Sequence, residues 1–152
     1  MKTLQTNIAE VCLTYKFKVK VSDRKKISTS KDAYQIFHDS WSSGTIEFLE
    51  EFKILLMNRS NSVLGILEIS KGGISGTVSD VRVIFAAAIK ANASGIICAH
   101  NHPSGNLNPS ESDTRLTQKL KDAGNLLDIQ LLDHLILSTD GNYYSFADNG
   151  LL

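Results

Sequence analysis

The run GIICA, residues 95–99, is short, wholly apolar and followed at once by His100. A strand with one face in water alternates apolar and polar residues, whereas a strand covered on both faces reads as a continuous apolar stretch. This run therefore predicts a central strand with helices or further chain packed above and below it. A chain of 152 residues, 42% of them hydrophobic, is long enough to provide both covers and short enough to be expected as one compact domain.

The flanking patterns supply the rest of the layers. Residues 13–21 (LTYKFKVKV) alternate apolar and polar, which predicts a half-buried strand whose lysines, Lys16, Lys18 and Lys20, share one face. Ser30 is the expected cap of a helix carrying Ala33, Ile36, Phe37 and Trp41 and ending near Gly44, with His38 at the boundary of its apolar stripe. Residues 51–57 (EFKILLM) and 63–69 (VLGILEI) read as a hairpin through the turn-forming segment 58–62. The glycine-rich stretch 71–77 reads as a loop without phosphate-binding spacing. Ser79 is the expected cap of a helix presenting Val81, Ile84, Phe85, Ala88 and Ile89, and Ser110 that of a helix stopping at Gly124. Residues 128–138 and 142–146 form a second hairpin. The order of elements predicts an α/β fold, a mixed β-sheet with packed helices. Residues 1–44 are expected to contribute an N-terminal strand and helix packed on a core formed by 45–152.

Composition excludes several classes. No stretch approaches the roughly 20 apolar residues that cross a bilayer, and residues 1–8 lack the apolar centre of a secretory signal, so a soluble cytoplasmic protein with no membrane partner is expected. Cys12 and Cys98 are far apart and form no CxxC, which argues against a disulfide framework or a thiolate-bound zinc. Sixteen basic and sixteen acidic side chains cancel, which weighs against a molecule-wide nucleic-acid surface. The lysine row is then most simply protection for an exposed sheet edge.

The scarce residues are concentrated. Two of the four histidines and both prolines fall within residues 99–109, in the segment AHNHPSGNLNPSESD that ends at Asp113. Residues two apart on a strand share a face, so His100 and His102 can aim at one point beyond the strand end, where α/β sheets place ligands. Asp113 in the first turn of the following helix converges on the same point. Two imidazoles and a carboxylate match the three protein ligands of a catalytic zinc, with a fourth position for water. Such an ion brings the pKa of its water to about 7, and a carboxylate outside the ligand set must collect the proton. Taken alone, Ser110 and Asp113 read more simply as a helix capping box, and each histidine as a hydrogen-bonded loop or strand-end residue. Multiplying this chain's own frequencies of His, His, Ser and Asp gives a chance of coincidence below roughly one in a thousand, which favours the combined reading.

The pattern His100-x-His102-x7-Ser110-x2-Asp113 resembles the JAMM motif of the JAB/MPN metallopeptidase superfamily, and the surrounding segment with the later LLDHLIL resembles its RadC-like branch. The resemblance implies the MPN/JAB, cytidine-deaminase-like layered architecture, with residues 45–152 as the metal-binding domain. Longer members of the branch carry a helix-hairpin-helix segment ahead of this domain, and none is readable here. It further implies one Zn2+ per chain held by His100, His102 and Asp113, Ser110 as donor to the oxyanion, and a glutamate base upstream in a context like Glu-Phe-x-x-Leu-Leu. Glu51 fits that context; Glu50 is the rival, because a shift of one residue changes the sheet face. Glu47 and Glu68 fit less well. The expected activity is hydrolysis of peptide or isopeptide bonds in a peptide or protein substrate. Two alternatives stand beside it: a metal-dependent DNA-processing factor using the lysine row, and a non-catalytic metal-binding interaction module. Asp133 and His134 are expected either to support the site by outer hydrogen bonds or to form a structural pair at a strand end.

Overall fold

The computed structural model describes residues 7–12, 14–73 and 78–152. Five strands, β1 (Glu51–Met57), β2 (Val63–Lys71), β3 (Gly95–Asn101), β4 (Gln130–Leu137) and β5 (Tyr143–Ser145), form one sheet in the order β2-β1-β3-β4-β5. β3 is central and parallel to β4; the β1–β2, β1–β3 and β4–β5 pairs are antiparallel, so the sheet is mixed as expected. Three helices cover it: α1 (Ser30–Ser40), α2 (Val81–Lys90) and α3 (Glu111–Leu127).

Alternation along the strands divides the core into two. On one face Phe52, Ile54 and Leu56 of β1 and Ile96 and Cys98 of β3 pack with Ile84, Phe85 and Ala88 of α2 and Leu120 of α3. On the other, Leu55, Met57, Ile97, Ala99, Leu135 and Leu137 pack with Ala33, Phe37 and Trp41 of α1 and its flank. Both β1 and β3 are buried along their whole length. Each fully buried large side chain in these layers contributes about 1.5–3 kcal/mol from removal of its apolar surface.

Several expected boundaries move. Residues 14–20 form no strand, and a single 3-10 turn, Val21–Asp23, follows them. The edge position beside the start of β2 is taken instead by Lys25–Ile27, through Ile27 N to Asn61 O (2.9 Å) and Val63 N to Lys25 O (2.8 Å). The Tyr15 hydroxyl donates to Leu64 O at 2.7 Å, and its ring packs at the margin of the core. Without a strand, Lys16, Lys18 and Lys20 have no regular face to share, and the expectation of a lysine stripe is withdrawn. Leu13, the four residues 74–77 of the glycine-rich loop, and most of the N-terminal stretch considered as a signal lie outside the described residues. Among the described residues, no helix is long and apolar enough to cross a membrane.

The caps of the first two helices shift by one residue. Thr29, not Ser30, caps α1 in a reciprocal box with Asp32, and Trp41 ends it. Asp80, not Ser79, caps α2. In both cases two adjacent residues carry competent side-chain oxygens; Ser30 already lies inside α1, and Asp80, directly before Val81, takes the cap of α2. α3 runs past Gly124 to Leu127 and closes on Asp128 in the left-handed conformation. Gly124 is needed for another reason: a Cβ there would collide with the Ile129 carbonyl oxygen, where the chain turns back toward β4. Glycine to alanine inside a helix ordinarily stabilises by up to about 1 kcal/mol. Here Gly124→Ala is expected to destabilise by about 1–3 kcal/mol in chemical denaturation, because backbone must move.

Candidate metal centre

The site lies where β3 ends. Antiparallel pairing sets His100 opposite Phe52 of β1, and both belong to the face covered by α2 and α3. Beyond β3 the chain bends through Pro103 to Pro109 and enters α3 at Ser110. The Ser110 hydroxyl oxygen accepts from Asp113 N at 3.0 Å, while Asp113 Oδ2 accepts from Ser110 N at 2.8 Å. This capping box contributes on the order of 1 kcal/mol to the helix start. It also fixes the Asp113 carboxylate beside the two histidines. The structural and functional readings of Ser110 and Asp113 therefore describe one arrangement.

His100 Nε2 lies 3.0 Å from His102 Nε2 and 3.2 Å from Asp113 Oδ1, and His102 Nε2 lies 3.3 Å from Asp113 Oδ2. A tetrahedral ion bonded at about 2.0–2.1 Å has ligand atoms separated by roughly 3.3 Å, so this donor set fits a cation such as zinc. His102 Nδ1 donates to Asn106 O at 2.5 Å, which turns its Nε2 toward the other two groups. Among the described residues, His100, His102 and Asp113 form the one group of this kind able to hold a metal.

The electrostatics are those of a coupled cluster. Burial works to raise the Asp113 carboxyl, but the His100 and His102 imidazoles, with nitrogens 3.2 and 3.3 Å from its oxygens, outweigh it and hold the group well below the usual carboxylate range. Burial works to lower the His102 imidazole, and the Asp113 carboxylate and Asn106 carbonyl overcome it, so the pKa is raised above 6.5. His134, fully buried against Phe52 and Phe146, is held neutral, its pKa pushed well below the ordinary value by burial and by the neighbouring His100.

The cluster opens into a cleft of about 770 Å³ lined by Glu50, Phe52, Lys71, Val78, Leu116 and Ser110, among others. Glu50 is on this lining and Glu51 is not. Strand alternation explains the difference: Glu50 keeps phase with Phe52 and His100, whereas Glu51 keeps phase with Lys53, whose amine lies over Trp41 on the α1 face. The Glu51 carboxylate, 2% exposed, accepts from Thr45 Oγ1 at 2.8 Å and pairs with Lys53 (3.6 Å) and Lys71 (3.4 Å). The structure thus gathers His100, His102, Ser110, Asp113 and Glu50 and leaves the expected base, Glu51, in a separate ion-pair cluster. Glu47 and Glu68 are exposed and outside the cleft lining.

The LLDHLIL pair divides across the sheet. Asp133 accepts from Ser145 Oγ (2.6 Å), Ala147 N (3.0 Å) and His134 N (2.7 Å), tying the C-terminal turn to β4. His134 faces the cluster, with Nε2 2.8 Å from His100 Nδ1 and Nδ1 2.7 Å from Thr117 Oγ1. Two neighbours escaped the sequence reading. Asn101, fully buried between the two histidines in sequence but on the opposite face, accepts from Glu51 N (2.8 Å) and donates to Ile46 O and Leu49 O (both 2.8 Å), pinning the chain that delivers Glu50. Thr117 stands one helical turn after Asp113, a spacing that signals a shared face once Asp113 is placed.

The fold and this cluster together define a JAB-type domain. The profile of the RadC-like JAB domain matches residues 27–151, and the chain belongs to that family. Among relatives, it is 48% identical over 127 residues to a UPF0758 protein of Flavobacterium johnsoniae, covering 84% of this chain and 54% of the relative. A UPF0758 protein of Porphyromonas gingivalis is 50% identical over 103 residues (68% and 45% of the two chains), and one of Clostridium perfringens 36% over 150 residues (97% and 63%). The chain spans about half the length of the first two relatives.

A cation bound at the cluster must displace the proton that His102 carries. His102's raised pKa means that this competition begins above pH 6.5 as pH falls, while Asp113 remains ionised throughout. Zinc affinity measured by chelator competition is expected to drop about tenfold for each pH unit below that point. An affinity flat between about pH 5.5 and 8 would contradict the assignment.

Proposed function

We propose that this domain is a zinc-dependent hydrolase of peptide or isopeptide bonds acting on a peptide or protein substrate. The observation that carries the reading is the convergence of two imidazole nitrogens and a carboxylate within 3.0–3.3 Å of one another, in a cleft also lined by an acid and a serine outside the ligand set. His100, His102 and Asp113 would hold the ion, whose chemistry when bound is to acidify a water and polarise a carbonyl oxygen. Ser110 Oγ accepts from Asp113 N, which leaves its own hydroxyl proton free to donate to a substrate carbonyl oxygen as negative charge develops.

Glu50 takes the role first sought at Glu51. Glu50 is on the cleft lining, and its carboxylate would collect the proton from the attacking water and return it to the leaving nitrogen. Its backbone is held on both sides: Glu50 O accepts from Gly72 N at 2.8 Å, and Glu51 N donates to Asn101. Apolar Phe52, Val78 and Leu116 beside these groups suit substrate side chains and help exclude water.

The test is hydrolysis of a peptide and isopeptide library by zinc-loaded protein. Glu50→Gln is expected to retain stoichiometric zinc and lose activity by about 10²–10⁴-fold, while Glu51→Gln keeps turnover. Loss of turnover in zinc-loaded Glu51→Gln with Glu50→Gln active would reverse the choice of base. Activity unaffected by His100→Ala or Asp113→Ala would remove the metal-dependent reading.

A further inference from the structure

A hydrogen-bond chain leaves the cluster through the buried side of His100 and returns to it. His100 Nδ1 meets His134 Nε2 at 2.8 Å, His134 Nδ1 meets Thr117 Oγ1 at 2.7 Å, and Thr117 Oγ1 donates to Asp113 O at 2.7 Å. The end of this chain sets the direction of every proton in it. The Asp113 carbonyl can only accept, so the single hydroxyl proton of Thr117 goes to it. If that proton pointed at His134 instead, two bare oxygens would face each other at 2.7 Å. With its proton committed, Thr117 Oγ1 accepts, and His134 must donate from Nδ1. A neutral imidazole carries one N–H, so His134 Nε2 is bare and accepts from His100 Nδ1. In the neutral form of His100 the unprotonated nitrogen is then Nε2, the one that faces His102 and Asp113.

We infer that Thr117 and His134 are positioning residues that hold His100 in its Nδ1-H tautomer and so keep its Nε2 lone pair directed at the cation site. The inference rests on the reading of His100, His102 and Asp113 as a metal centre for its consequence, but not for the tautomer itself. Metal-binding histidines commonly direct the second ring nitrogen to a carboxylate or a carbonyl. Here the acceptor is another neutral imidazole, and the carbonyl lies two bonds further on, at the main chain of the residue whose side chain is a ligand. Asp113 therefore closes a ring: its carboxylate faces His100 Nε2, and its carbonyl governs the proton on His100 Nδ1.

The surroundings keep the relay intact. Thr117 is 3% exposed and His134 and His100 are 0% and 1% exposed, so water does not compete for these bonds. The His134 ring stacks on Phe146, 5.0 Å between centroids and 11° between planes, and meets Phe52 edge-on at 5.5 Å. The aromatic walls fix the ring plane, and the Thr117 hydroxyl chooses which of its nitrogens bears hydrogen.

The test has two readouts, one independent of any metal. Nitrogen NMR of histidine-labelled, zinc-free protein at mildly alkaline pH is expected to show His100 and His134 both protonated at Nδ1. Thr117→Val, nearly equal in volume but without a hydroxyl, is expected to give mixed His134 and His100 tautomers and about 10–100-fold weaker zinc binding by chelator competition. Thr117→Ser restores both. His134→Gln, which retains an accepting oxygen and a donating nitrogen, is expected to bind zinc more tightly than His134→Phe. A wild-type His100 protonated at Nε2, or Thr117→Val binding zinc as tightly as wild type with unchanged tautomers, would overturn the inference. Zinc binding unaffected by His100→Ala would instead defeat the metal-centre reading and leave the tautomer result standing.

Discussion

The antiparallel pairing of β1 with β3 sets Phe52 opposite His100, and the arrangement of the site follows from that register. Side chains alternate along each strand, so this one pairing decides which residues of β1 and its entry point share a face with the histidines. Glu50 and Phe52 do; Glu51 and Lys53 turn to the α1 side, where Thr45, Lys71 and the Trp41 ring receive them. A slip of one residue would carry Glu51 to the cleft and at the same time turn Ile54 and Leu56 out of the core they share with α2 and α3. The hydrophobic core and the choice of acid are therefore a single constraint. A slip would exchange Ile54 and Leu56 with Leu55 and Met57 between two close-packed layers, so the fit of these side chains in both layers opposes it.

The second element of the design is the start of α3. A serine at the cap and an aspartate three residues on satisfy backbone donors that every helix leaves open. Here that ordinary device also holds the aspartate carboxylate within 3.3 Å of both imidazoles. The same helix returns Thr117 to the buried side of His100 one turn later. One helix terminus thus meets the strand-end histidines from two directions, and Asn101 between them anchors the segment that presents Glu50.

The sequence pattern made much of this legible, and the gaps have physical reasons. The spacing of His100, His102, Ser110 and Asp113 was readable because strand period and cap geometry are local. The mixed sheet was readable from the apolar run at 95–99 and the helical stripes beside it. The face of the acid was not, because a motif locates Glu50 and Glu51 only to within one residue, and register is a long-range property. The expected strand at 13–21 has the right alternation, but alternation alone supplies no edge partner, and Lys25–Ile27 occupies the position beside the start of β2. The caps at Thr29 and Asp80 each have a neighbour that also carries a side-chain oxygen, so residue type alone leaves the boundary open by one position. Thr117 and Asn101 carry no motif; their roles exist only once β3, β4 and α3 are brought together.

The most direct test is a crystal structure of the zinc-loaded protein with anomalous diffraction recorded at the zinc edge. The account predicts one strong peak among His100 Nε2, His102 Nε2 and the Asp113 carboxylate, with the Glu50 carboxylate within hydrogen-bonding reach of the water on the ion and Glu51 still paired with Lys53 and Lys71. A peak elsewhere, or a Glu51 carboxylate turned into the cleft with Glu50 directed away, would contradict it.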